Sequence, residues 1–168
     1  SKTTMGMTPQ SRFEEMVDKN YHYQYMHNML QVNNGNGTYR ELANLAGVAN
    51  TDWSWATLLA DFDLDGYNDI FVTNGVFRDV IDRDANNAIL NDLRSNPRKP
   101  SDKDFLNFTK MLPQQKLTNY FFRNKGDLSF ENVSYTWTDS IPNFSNGATY
   151  ADLDNDGDLD LVVNNIND

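Results

Sequence analysis

Two nine-residue stretches of the same plan constrain this chain more than anything else in it. Asp61-Phe-Asp-Leu-Asp-Gly-Tyr-Asn-Asp69 and Asp152-Leu-Asp-Asn-Asp-Gly-Asp-Leu-Asp160 each set aspartates at positions 1, 3, 5 and 9 around a glycine at position 6. A glycine there permits a sharp turn that brings alternate side chains toward one point. Four carboxylates gathered in this way repel one another unless a hard cation sits among them, and calcium suits an all-oxygen set. The expected side-chain ligands are Asp61, Asp63, Asp65 and Asp69 in one loop and Asp152, Asp154, Asp156 and Asp160 in the other. A single copy could arise by chance; two with identical spacing point to a built feature, and the two loops are expected to be equivalent in geometry.

Position 12 excludes the helix-loop-helix owner of such a loop, which closes its calcium shell with a bidentate glutamate. Val72 and Val163 stand there instead, in the runs Ile70-Phe71-Val72 and Leu161-Val162-Val163 that read as strands. Leu58, Leu59 and Ala60 precede the first loop, and Ala148 to Ala151 precede the second, so each loop joins strand to strand. Paired carboxylates also serve glycoside hydrolysis, but acids saturated by a cation are poor proton donors. A structural role, with the ion pinning the strand connection, is the reading that follows.

The net charge of −10 agrees with this, because nine of the twenty-four acidic residues lie in the two loops. Two bound calcium ions would bring it to about −6. No basic footprint for nucleic acid is present, and no apolar run approaches the roughly 18 residues that a membrane helix needs. Neither nucleic-acid binding nor membrane insertion by this segment is expected. With no cysteine the redox compartment cannot be read. The start Ser1-Lys-Thr-Thr shows neither an initiator methionine nor a signal-peptide pattern, which suggests an excised or processed piece.

An internal repeat organises the rest. Asn28 to Leu42 aligns without gaps on Asn119 to Val133, and the two aspartate loops align at the same offset of 91 residues. Each unit reads as strand, loop, strand, then strand, glycine turn, strand: about four short antiparallel strands, or one propeller blade. Residues 50–139 would form one full blade, 21–49 the second half of a preceding blade, and 141–168 the first half of a following one. The expected fold is therefore mainly β, blades of a calcium-binding β-propeller, and a fragment of a larger one. The uncovered ends are expected to expose Leu30 and Val32 on one side and Leu161 and Val163 on the other. A helical insertion is expected over about 77–117. Val80, Ile81, Ala85, Ala88, Ile89 and Leu93 recur at helical spacing before Asn96-Pro97, and Ser101 with Asp104 forms a capping-box signal. Residues 11–18 read as one or two helical turns, with a strand starting near Tyr21.

The loops, their lead-ins Ala60-Asp61 and Ala151-Asp152, and the strands after them resemble FG-GAP/VCBS repeats, the calcium-binding blades also seen in integrin α-chain propellers. Asn33-Asn-Gly-Asn-Gly-Thr-Tyr39, Leu45-Ala-Gly-Val-Ala49 and Trp53-Ser-Trp-Ala56 look more narrowly like the cartilage-acidic-protein-like (ASPIC/UnbV-associated) group of secreted proteins. The resemblance covers roughly residues 21–74 and 116–168. It implies that the carbonyls of Tyr67 and Asp158, at loop position 7, join the carboxylates as ligands. It also implies an extracellular or cell-surface recognition and adhesion scaffold for a protein or carbohydrate ligand, completed by the remaining blades of the same propeller. The alternative is a non-catalytic part of a secreted polysaccharide-processing enzyme. One departure stands out: Thr3-Thr-Met-Gly6 resembles the lead-in Phe144-Ser-Asn-Gly147, yet no aspartate loop follows it.

Other candidates weigh less. Tyr21, Tyr23 and Tyr25 would share one strand face and form either a stacking platform for a sugar or peptide or blade packing. Trp53 aligns with Phe144, as a packing position should; Trp55 aligns with Asn146 and is specific to its own blade. His22 and His27 would face opposite sides of a continuous strand, which argues against a shared metal. With no cysteine and two histidines, little material exists for a nucleophilic site, and no catalytic residue is expected. Gly35-Asn-Gly37 reads as a hairpin turn rather than a phosphate loop.

Overall fold

The structure is a computed structural model that describes residues 10–21, 27–96 and 98–166. Along these residues run α1 (Gln10–Asp18), β1 (Gln31–Asn33), β2 (Tyr39–Glu41), α2 (Ala43–Ala46), β3 (Ser54–Ala60), β4 (Asp69–Asn74), α3 (Arg83–Ser95), α4 (Asp102–Met111), β5 (Tyr120–Asn124), β6 (Phe130–Asn132), α5 (Ser134–Trp137), β7 (Ser145–Ala151) and β8 (Asp160–Asn165). They fall into two compact units. The larger, residues 27–76 and 116–166, holds all the described strands and is mainly β; the smaller, residues 10–21 and 77–115, is helical. Thr3–Gly6, His22, Tyr23, Tyr25 and Pro97 lie outside the described residues, and so does the strand expected after Tyr21.

In the larger unit every pairing between strands is antiparallel, giving the sheets β1-β2, β3-β4-β5-β6 and β7-β8. The 91-residue offset carries β3 onto β7, β4 onto β8, and β1, β2 and α2 onto β5, β6 and α5. Among the described residues the sheets do not close into a ring.

β4 is the centre of the packing, with all six residues buried. A strand covered on both faces needs apolar or fully bonded residues throughout, and Asp-Ile-Phe-Val-Thr-Asn supplies them. One face carries Ile70, Val72 and Phe122, which join Ala43, Ala46, Val48 and Ala49 in a single core; Leu30, Tyr120 and Phe130 pack at its edge. On the other face Phe71 meets Phe121, ring centroids 4.7 Å apart. Phe121 also meets Phe62 and Trp137 edge-on, and Phe62 reaches Tyr150 of β7 at 5.7 Å. Each buried phenylalanine contributes about 1.5–3 kcal/mol of transfer free energy.

This packing corrects the expected exposed ends. Leu30 rests against the core instead of lying bare. Leu161 pairs with Tyr150, whose ring turns inward to Phe62, so Leu161 and Val163 share the half-buried face. The residue left outside is Val162, 49% exposed. Side chains alternate along a strand, so a one-residue error in phase inverts the whole assignment.

Buried polar groups tie the sheets together. Asn119 donates to Ser145 Oγ (3.0 Å) and accepts from the Asn74 N–H (2.8 Å), while Ser145 Oγ donates to Asn165 (2.7 Å). Their repeat counterparts make a related set, with Asn28 donating to Thr51 Oγ1 and Thr51 bonded to Ser54 (2.5 Å). Gly75 sits at φ +118°, where an added Cβ would stand 2.3 Å from the Asn143 carbonyl oxygen. Only glycine permits that approach of the two backbones.

In the smaller unit, Asp82 caps α3 by accepting from the Ala85 N–H at 2.8 Å. At the start of α4, Asp104 accepts from the backbone N–H (2.8 Å) and hydroxyl (2.6 Å) of Ser101 and pairs bidentately with Arg98 at 2.8 and 2.9 Å. The guanidinium, then Ser101, hold the Asp104 carboxyl well below the usual carboxylate range. Buried Asp79 closes the base of the insertion: its N–H donates to the Pro113 carbonyl (2.9 Å), and its carboxylate accepts from the Ile81 N–H (3.0 Å) and the Gln115 amide (2.5 Å).

Two candidate metal centres

Both aspartate loops make the same turn. Gly66 and Gly157 at position 6 adopt φ +93° and +98°, and Leu64 and Asn155 at position 4 adopt φ +61° and +63°. These left-handed residues swing the following amides inward. The Asp61 carboxylate accepts from the N–H groups of Asp65 (3.0 Å) and Gly66 (2.8 Å); Asp152 accepts from Asp156 (3.1 Å) and Gly157 (3.1 Å). Asp65 then accepts from the Tyr67 N–H (3.0 Å), and Asp156 from that of Asp158 (3.2 Å). Asp69 and Asp160, at position 9, reach back to the N–H of Phe62 (3.1 Å) and Leu153 (2.9 Å).

The turn gathers Asp61, Asp63 and Asp65 in one loop and Asp152, Asp154 and Asp156 in the other, each trio offering oxygens within 4.8 Å of one another. An oxygen-only donor set of this density fits a hard divalent cation. Asp69 and Asp160 stand outside these trios, as side chains that brace the turn, while Tyr67 and Asp158 lie at position 7 with their N–H groups turned to the carboxylate at position 5.

The surroundings differ. In the first loop the Arg123 guanidinium bridges Asp63 (2.6 Å) and Asp65 (3.2 Å), and the charge of Asp63 pushes the guanidinium up. Asp69 is fully buried and also accepts from the Asn124 N–H at 2.8 Å. Burial pushes its carboxyl up, opposed by those two backbone bonds. Asn124 additionally donates to the Asn68 carbonyl at 2.9 Å, so β5 holds the loop at two places. The second loop is exposed at all three of its clustered aspartates, and the charge of Asp156 pushes Asp158 up.

Sequence reasoning missed Arg123 and Asn124. The repeat carried a signal for both: Asn124 aligns with Asn33, a shared asparagine, whereas Arg123 aligns with Val32 and is peculiar to its own sheet. Of the aromatic candidates, Trp55 is 51% exposed and donates its indole N–H to the Gly75 carbonyl at 2.6 Å, while Tyr21 is 61% exposed. His27 bonds through Nδ1 to the Asn28 carbonyl at 2.6 Å.

Neither a curated protein nor a solved structure matches the chain. Residues 111–163, which run from the end of α4 through β5, β6 and β7 into β8 and enclose the second aspartate loop, match the FG-GAP-like repeat, and this supports the FG-GAP repeat family for that part of the chain.

Proposed function

We propose that the larger unit is a segment of an FG-GAP/VCBS-type β-propeller whose two loops bind calcium. Its role is that of a non-enzymatic recognition or adhesion scaffold at the cell surface or outside the cell, for a protein or carbohydrate ligand. The observation that carries the reading is the shared pattern of carboxylate-to-amide bonds in the two turns, each presenting three carboxylates within 4.8 Å. Asp61, Asp63 and Asp65 would hold one ion and Asp152, Asp154 and Asp156 the other, with Asp69, Asp160 and the position-7 carbonyls completing the shells. In this reading the sheet β3-β4-β5-β6 is one blade, β1-β2 the outer half of the preceding blade and β7-β8 the inner half of the next. The motifs around Asn33 to Tyr39 and Trp53 to Ala56 favour the cartilage-acidic-protein-like group within the family.

Affinity should resemble that of extracellular calcium modules, on the order of 10⁻⁴ to 10⁻³ M, because neither loop has a bidentate glutamate. Metal analysis with thermal melts in calcium and in chelator tests the site: bound calcium and a raised midpoint are expected, and no metal with an unchanged midpoint would overturn it. Binding and product analysis on glycan and polysaccharide panels tests the role. Saturable binding without products is expected; turnover would replace the scaffold reading with an enzymatic one.

A further inference from the structure

The carboxylate oxygens of the first loop are divided between two kinds of donor. Asp63 and Asp65 each commit Oδ1 to a backbone amide of the turn, that of Asp65 (3.3 Å) and that of Tyr67 (3.0 Å). Their Oδ2 atoms both go to the Arg123 guanidinium of β5, at 2.6 and 3.2 Å. An ion that enters without breaking the turn therefore needs the two oxygens that Arg123 holds, and calcium approaches such oxygens to about 2.3–2.6 Å. Two cations on one pair of oxygens repel, so the guanidinium has to leave.

A second carboxylate is already in register for it. Arg123 stands directly opposite Glu131 of β6, and opposed residues share a face with Cβ atoms about 4.5–5.5 Å apart. Lys125, two residues along on the same face, reaches Glu131 at 3.6 Å, so this carboxylate lies where a cation from β5 can meet it. The planar fork of a guanidinium fits a carboxylate better than an ammonium does. In the counterpart hairpin the same positions carry Val32 opposite Arg40, so the pair is not a requirement of the repeat. We propose that Arg123 is a two-position switch: without the ion it bridges Asp63 and Asp65, and with the ion it moves to Glu131. The inference rests on the calcium reading of the first loop and adds how that loop passes on its occupancy. Binding there transfers a positive charge from the loop to the β5–β6 hairpin, and the ion drives the move because only one position of the arginine leaves it those oxygens.

Nuclear magnetic resonance on the full chain reads both halves of the switch. The Gly66 and Gly157 amides follow calcium at each loop separately, and the Arg123 Nε–H signal, identified by its loss in Arg123→Gln, follows the guanidinium. In a calcium titration the Arg123 signal should move in step with Gly66 and not with Gly157. Glu131→Gln removes the receiving carboxylate. It should weaken calcium at the first loop about two- to fivefold more in the wild-type chain than in an Arg123→Gln background. Calcium that shifts Gly66 while the Arg123 signal stays in place, or equal weakening in the two backgrounds, would overturn the switch and leave the calcium reading standing. No response at Gly66 overturns the switch as well, and silence at Gly157 too would take the calcium reading with it.

Discussion

The loops at residues 61–69 and 152–160 fold by the same local bonds but live in different surroundings. The first is held from outside: Arg123 spans two of its carboxylates, and Asn124 fixes buried Asp69 against β5. The second makes its turn with its own amides, and its clustered aspartates face solvent. The difference arises because β5 lies beside β4, while β8 has no such neighbour among the described strands. Local geometry is therefore a property of the nine residues, whereas the work left for a bound cation depends on what the sheet places next to them.

The sharpest way to break this comparison is at position 9. Asp69→Ala leaves the half-buried N–H groups of Phe62 and Asn124 without their buried acceptor and should cost about 2–3 kcal/mol, whereas Asp160→Ala, which gives up one bond at a half-exposed site, should cost about 1 kcal/mol. Equal losses in chemical denaturation would mean that the surroundings do not matter. Calcium comes next. At about 10 mM free ion and the affinity proposed above, each occupied loop should gain roughly 1.4–2.7 kcal/mol. On chelation, amide exchange at Asp156 and Gly157 should accelerate more than at Asp65 and Gly66; the reverse order would show that Arg123 does not substitute for the ion.

Position 4 separates turn from surroundings. Leu64 holds a left-handed backbone that asparagine tolerates better, and its side chain is 60% exposed, so Leu64→Asn should raise stability by about 0.5–1 kcal/mol. Asn155→Leu should lower it by a similar amount, and melts of the two variants check both signs. The smallest stability effect belongs to Arg123→Gln. As a part-exposed ion pair it should account for about 0.2–1 kcal/mol, fading as salt is added. The same change should tighten calcium binding at the first loop and leave the second untouched, which calorimetric titration of each loop would reveal.

Much of the fold was legible because its determinants are close in sequence. The Ser101 and Asp104 signal at the start of α4 acts over three residues, and the amides that cradle Asp61 and Asp152 come from four and five residues away. The glycine hairpins and the repeat offset are likewise visible as spacing alone. That Asp69 also accepts from two backbone amides is only partly a property of its own loop, because one of them comes from Asn124, 55 residues on.

From its sequence alone this chain determined the two turns, the strands that flank them and the repeat that relates its sheets, because these follow from glycine conformations, carboxylate-to-amide bonds and side-chain alternation within a few residues. Only the tertiary structure decided which face each strand buries, that Leu161 and Val163 turn inward while Val162 stays out, and that one loop carries an arginine across its carboxylates. The physical reason is strand neighbourhood: burial and charge pairing in a sheet come from residues far along the chain, and among the described strands β4 has neighbours on both edges where β8 has one.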